Sequence, residues 1–162
     1  MTTEKWLIDS ALRGWKFNVE RADKLFGDLS AKQLEQEVAP GRNRLIYLWG
    51  HLAAVNDRLL PLLGIGERLH PEFDAMFISS PDKSVPLTVS EQSLKTAWQE
   101  INQKLSEGFA KFSDSDWAQR HTAVSVEDFE REPHRNRFGV LLGRTAHLAY
   151  HLGQVALARP SG

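Results

Sequence analysis

Two histidines four residues apart, His147 and His151, stand in the run Arg144-Thr-Ala-His-Leu-Ala-Tyr-His-Leu-Gly-Gln154. On an α-helix, positions i and i+4 share a face, so two imidazoles at this spacing can hold one metal ion. Six histidines in 162 residues produce roughly 0.2 such pairs by chance, so the spacing alone is weak evidence and a third ligand is required. His51 is the candidate. Three neutral imidazoles can hold a divalent ion and leave positions open for water or substrate, an arrangement catalytic in style. Zinc, nickel, cobalt and iron(II) all accept imidazole, and the affinity order among them leaves the metal's identity open.

Other polar side chains flank these three. Gln154, one turn beyond His151, has two readings: it orients a metal-bound water, or it closes helix packing by a hydrogen bond. Arg58 lies two turns beyond His51 on the same face and can receive a carboxylate in bidentate fashion. Its plainer reading is a salt-bridged surface arginine. Arg144 carries the same two readings from the other helix. His70, His121 and His134 read as loop residues. Tyr150 reads as packing, and Trp6, Trp15, Trp49, Trp98 and Trp117 as core and cap anchors.

The elements that must position these groups are helical. Ile8, Leu12, Trp15, Val19, Ala22, Phe26 and Leu29 repeat in steps of four and three, which predicts a first helix over about residues 4 to 28. Ser30 to Gln33 reads as a capping box, and Pro40-Gly41 breaks the chain. Leu45, Leu48, Leu52, Val55, Leu59 and Leu62 form a second stripe, with a cap expected at Asn43 and a stop near Pro61 and Gly64. A third helix follows Thr88 to Glu91, capped by Thr88 or Ser90, and points Leu94, Trp98, Ile101, Leu105, Phe109 and Phe112 inward. The last, over about 138 to 158, does so with Leu141, Thr145, Leu148, Leu152 and Val155. Beside the second and fourth stripes run two polar rows, Arg44, Tyr47, His51 and Arg58, and Arg144, His147, His151 and Gln154. Neighbouring helices would bring the rows together at the edge of the core. The expected architecture is an all-α four-helix bundle in one domain, residues 1–162. Its long connection from Gly64 to Leu87 makes helices two and three parallel.

Composition narrows the function. Twenty basic residues against 21 acidic ones, with no long run of either sign, argue against nucleic acid as a partner. The expected partner is a small-molecule substrate. Cysteine is absent, so thiolate ligands, disulfides and a cysteine nucleophile are excluded, which suits a reducing compartment. No apolar signal core or membrane-length stretch is present, and the expectation is a soluble, cytoplasmic chain without a membrane partner.

Leu48-Trp-Gly-His51-Leu-Ala, together with His147-Leu-Ala-Tyr-His151-Leu-Gly-Gln154-Val, resembles the DinB superfamily of bacterial metalloproteins, and the likeness runs through the whole chain in order. The resemblance implies an up-down-down-up bundle, a metal on His51, His147 and His151, and a homodimer. It also implies chemistry by analogy, because characterised relatives include low-molecular-weight thiol-dependent S-transferases and a thiol-dependent maleylpyruvate isomerase. A thiol bound at an open metal position loses its proton there, which would reconcile sulfur chemistry with a cysteine-free chain. Metal-dependent hydrolysis is a second reading, although no Asp or Glu near the His motifs is an evident general base. Metal binding without turnover, in a stress-associated role, is the third.

Overall fold

A computed structural model describes residues 2–158. Among them there is no strand, only two isolated bridges, Glu37 with Arg44 and Arg120 with Asn136. The fold is all-α. Four long helices, α1 (Thr3–Gly27), α3 (Leu45–Asp57), α6 (Glu91–Phe109) and α9 (Arg137–Ala158), follow the four apolar stripes. Short helices fill the connections: α2 (Ala31–Leu34), α4 (Leu59–Leu62), α5 (Phe73–Phe77), α7 (Asp114–Trp117) and α8 (Val126–Arg131).

The local chemistry of the ends is largely that of capping side chains. Thr2 accepts from the Lys5 N–H at the start of α1, Ser90 from Ser93 at α6, and Ser30 and Gln33 form the reciprocal box of α2. Ser90, not Thr88, is therefore the α6 cap. The expected Asn43 cap is absent, and Arg44 occupies the N-cap without a side-chain bond to the helix. Its own backbone N–H donates to Asp82 Oδ2 at 2.7 Å, a partner 38 residues away that no local pattern announces. The second stripe also breaks one turn before its expected stop, at Arg58. Pro61 has no N–H to return to the Asp57 carbonyl, so the i→i+4 ladder lapses there before α4 resumes it. Gly64, at φ +72°, ends α4 in a Schellman turn, with Ile65 N–H on Leu60 O at 2.8 Å and Gly64 N–H on Pro61 O at 3.1 Å.

Helix α1 packs chiefly against α9, while α3 packs against α5, α6 and α9. Phe26 of α1 stacks on Trp49 of α3 at 5.0 Å between centroids. Trp15 meets Phe109 of α6 edge-on at 6.0 Å, and Asp23 accepts from Trp98 Nε1 at 2.6 Å. Asn56 donates to Asn102 at 2.8 Å, a satisfied polar bridge inside the core between α3 and α6. Helix α3 is covered nearly all round, from Leu45 to Asp57, and only His51 is left partly open. Of the five tryptophans read as anchors, four are buried. Trp6 is 57% exposed, because it lies outside the α1 stripe that begins at Ile8.

The long connection after Gly64 is tied down by charge. Asp57, fully buried, accepts from the backbone of Leu69 at 2.8 Å and His70 at 3.1 Å and from Arg68 Nε at 3.0 Å. Arg68 in turn grips Asp74 at 2.6 and 2.8 Å. This clamp holds α5 against α3, and α5 supplies one wall of the site.

Candidate metal centre

Helix α3 contributes His51 and α9 contributes His147 and His151. One ring nitrogen from each lies within 4.8 Å of the other two, a group that could hold one metal ion. Nε2 of His147 is 3.4 Å from Nε2 of His51 and 3.2 Å from Nε2 of His151. Tetrahedral ligands at the zinc–nitrogen bond length of about 2.0–2.1 Å stand about 3.3–3.4 Å apart, so both separations fit a single small ion.

The far sides of two rings fix which nitrogen faces inward. His51 Nδ1 lies 2.9 Å from the Phe77 carbonyl, which can only accept, so Nδ1 carries the proton and Nε2 presents its lone pair. His151 Nδ1 donates in the same way to Gln154 Oε1 at 2.8 Å. Tyr150, 65% exposed, does not serve as core packing. Its ring stands edge-on to His151 at 5.1 Å, and Gln154 Nε2 reaches its hydroxyl at 3.4 Å.

All three imidazoles are half-buried, and burial is the main force holding each below the usual histidine pKa. His147, repelled also by His151, His51 and Arg144, is pushed down to about 4. The triad is thus neutral at pH 7, the protonation state a metal requires. The further charges acting on His51 are Arg144 and Arg58, and no carboxylate among the described residues acts on any of the three rings.

The remaining sequence-predicted residues divide. Gln154 joins the site through His151. Arg58 is engaged by Asp74, with Nη2 to Oδ2 at 2.7 Å and Nε at 3.2 Å from both oxygens. The two arginines around it hold the Asp74 carboxyl down to about 2, Arg68 more strongly than Arg58. Arg144 is half-buried and has no ion pair or hydrogen bond among the described residues. Arg44 and Tyr47 leave the expected polar row for Asp82 and the Ser80 carbonyl. His70 turns to Glu72 and Phe73, away from the triad.

Two participants escape sequence reasoning altogether, the Phe77 carbonyl and Gly50. A Cβ on Gly50 would overlap Cε1, Cζ and Cδ1 of the Phe77 ring, so the glycine is the slot that admits α5 beside His51. A glycine inside an otherwise apolar helix was the available signal, but it does not say what approaches. Clefts of about 750 and 720 Å³ lie elsewhere, one walled by Leu34, Arg44 and Leu87 and the other by Ile8, Trp117 and Phe138. Ligand geometry, not cavity size, marks the centre.

A family model of the DinB superfamily matches residues 15–155, which include all three histidines. No curated protein matches the chain significantly.

Proposed function

Because the chain belongs to the DinB superfamily, we propose that it is a metal-dependent enzyme transferring a low-molecular-weight thiol to a small electrophile, with zinc or nickel held by His51, His147 and His151. The approach of His51 Nε2 and His151 Nε2 to His147 Nε2 at 3.4 and 3.2 Å, both single-ion separations, carries this reading. An ion with three protein ligands keeps a position for an exogenous group and stabilises a thiolate at neutral pH. The chain itself supplies the rest. Phe77 O and Gln154 Oε1 hold the inner nitrogens unprotonated, burial keeps the rings neutral, and Arg144 keeps the surroundings positive for an anionic sulfur species. Hydrolysis is less well served, since a general base is needed and the side chains outside the triad whose charge reaches His51 and His147 are arginines.

The same reading takes residues 1–162 as one domain, an up-down-down-up four-helix bundle that is cytoplasmic and homodimeric. Trp15 with Phe109 and Asp23 with Trp98 support an antiparallel α1 and α6. Ile46 shares a cleft with Glu91, and Asn56 pairs with Asn102, which supports a parallel α3 and α6 joined by a crossover. No described helix is long and apolar enough to cross a membrane.

The test is metal analysis of protein purified without a histidine tag, followed by turnover assays with glutathione, mycothiol and bacillithiol against common electrophiles. Activity should require both metal and thiol, and His51→Ala, His147→Ala and His151→Ala should each lose most of the metal while staying helical. Unchanged metal content in all three variants overturns the assignment. Metal-dependent turnover that is equally fast without thiol indicates hydrolysis, and bound metal with no turnover indicates the non-catalytic role.

A further inference from the structure

Among the described residues, mostly covered arginines have carboxylate partners, with one exception near the triad. Arg44 pairs with Asp82 and Glu35, Arg68 with Asp57 and Asp74, and Arg137 with Asp116, their side chains 17, 18 and 17% exposed respectively. Arg144 is half-buried and has no acceptor among the described residues. An unpaired guanidinium carries a desolvation penalty that nothing among the described residues returns, and Arg58 repels it in addition. Its position gives the reason. Arg144 is three residues before His147 on α9, and side chains at that spacing are neighbours on the helix surface. Its charge is felt by both His147 and His51.

We propose that Arg144 is the carboxylate receptor of the centre, binding the anionic end of a substrate or thiol whose other end lies at the His triad. The inference rests on the metal-centre reading above and adds to it the class of ligand, a small organic acid. A site of three neutral imidazoles, a divalent ion and a free guanidinium carries uncompensated positive charge, with no carboxylate among the described residues acting on the rings. An anion spanning the ion and the guanidinium compensates both. The planar fork of arginine matches a carboxylate through two parallel hydrogen bonds, which fixes orientation as well as charge. Arg58, the other arginine facing His51, is already committed to Asp74 through the same fork, so the free receptor is Arg144.

Cobalt-loaded protein, its metal content measured first, is titrated by visible absorption with succinate and with succinamate, in which one carboxylate is replaced by an amide. The wild type should bind succinate about tenfold more tightly, the worth of one charge-assisted pair. Arg144→Gln should retain its cobalt and bind the two probes alike. Equal binding by the wild type overturns the proposal, as does a succinate preference that survives in Arg144→Gln or is lost instead in Arg58→Gln. Should the protein take up no cobalt, the metal reading fails separately. The Arg144 receptor is then read in the metal-free protein from its guanidinium ¹⁵N–¹H resonance, identified by its loss in Arg144→Gln. A shift on adding succinate supports the receptor, and an unmoved resonance overturns it.

Discussion

Replacing Gly50 by alanine adds one methyl group at the point where the core and the candidate metal centre meet. The new Cβ would overlap three ring atoms of Phe77. That ring is fully buried and has little room to yield, since Tyr47 and Phe73 stand edge-on to it at 5.9 and 5.6 Å. Relief must come from moving residue 77 as a whole, and its carbonyl is the acceptor 2.9 Å from His51 Nδ1. Two energies compete. Alanine is favoured over glycine inside a helix by about 1 kcal/mol, whereas overpacking a tight core costs about 1–3 kcal/mol, and three overlapped atoms place this case at the upper end. The expected net loss is about 2 kcal/mol, or about 4–8 °C in Tm for a domain of this size. Losing the bond that orients His51, a proposed ligand, should weaken metal binding by about 10–100-fold. Gly14→Ala is the control, because nothing lies within 4 Å of its added Cβ. It should gain a few tenths to about 1 kcal/mol and leave metal affinity unchanged. Urea unfolding of the metal-free proteins and competition with a zinc chelator measure both quantities. A Gly50→Ala variant as stable as wild type refutes the packing argument. One that is destabilised but binds zinc within about twofold of wild type refutes the link from Phe77 to His51.

Three further outcomes follow from the same geometry. Gln154→Leu should lower zinc affinity about 10–100-fold in the chelator competition with little change in the urea midpoint, because its amide orients His151 from a half-buried position. Asp57→Ala leaves Arg68 and two backbone N–H groups without their buried acceptor and should cost about 3 kcal/mol in urea unfolding; a loss under about 1 kcal/mol would show that the clamp on the Gly64–Phe73 segment is dispensable. For pH, His147 is held down to about 4 in the fold against about 6.5 unfolded, so the unfolded chain takes up the proton first and stability falls as pH drops from about 6.5 toward 4. Metal-free wild type should therefore lose about 2 kcal/mol more than His147→Asn between pH 7 and 4.5, and equal losses would contradict the burial argument.

The helical stripes were legible because their period is a local property. Helices α1, α6 and α9 bury the faces their own residues mark, while α3 is covered nearly all round, and the capping box of Ser30 and Gln33 is written within four positions. The spacing of His147 and His151 is local in the same sense, since one helix carries both. Where a partner comes from afar, local pattern fails. Arg44 takes the N-cap expected of Asn43 because Asp82, far along the chain, receives its N–H, and Arg58 and Arg144 read alike in the sequence, whereas of these two the fold sets Asp74 against Arg58 alone. The inward nitrogen of His51 depends on a carbonyl 26 residues away, admitted by the missing side chain of Gly50. Sequence by itself determines which faces are apolar and which ligand types are present, because side-chain chemistry and helical period suffice for both. Only the tertiary structure decides which charges remain unpaired and which lone pairs point inward, because those depend on neighbours that the backbone brings together across long stretches of chain.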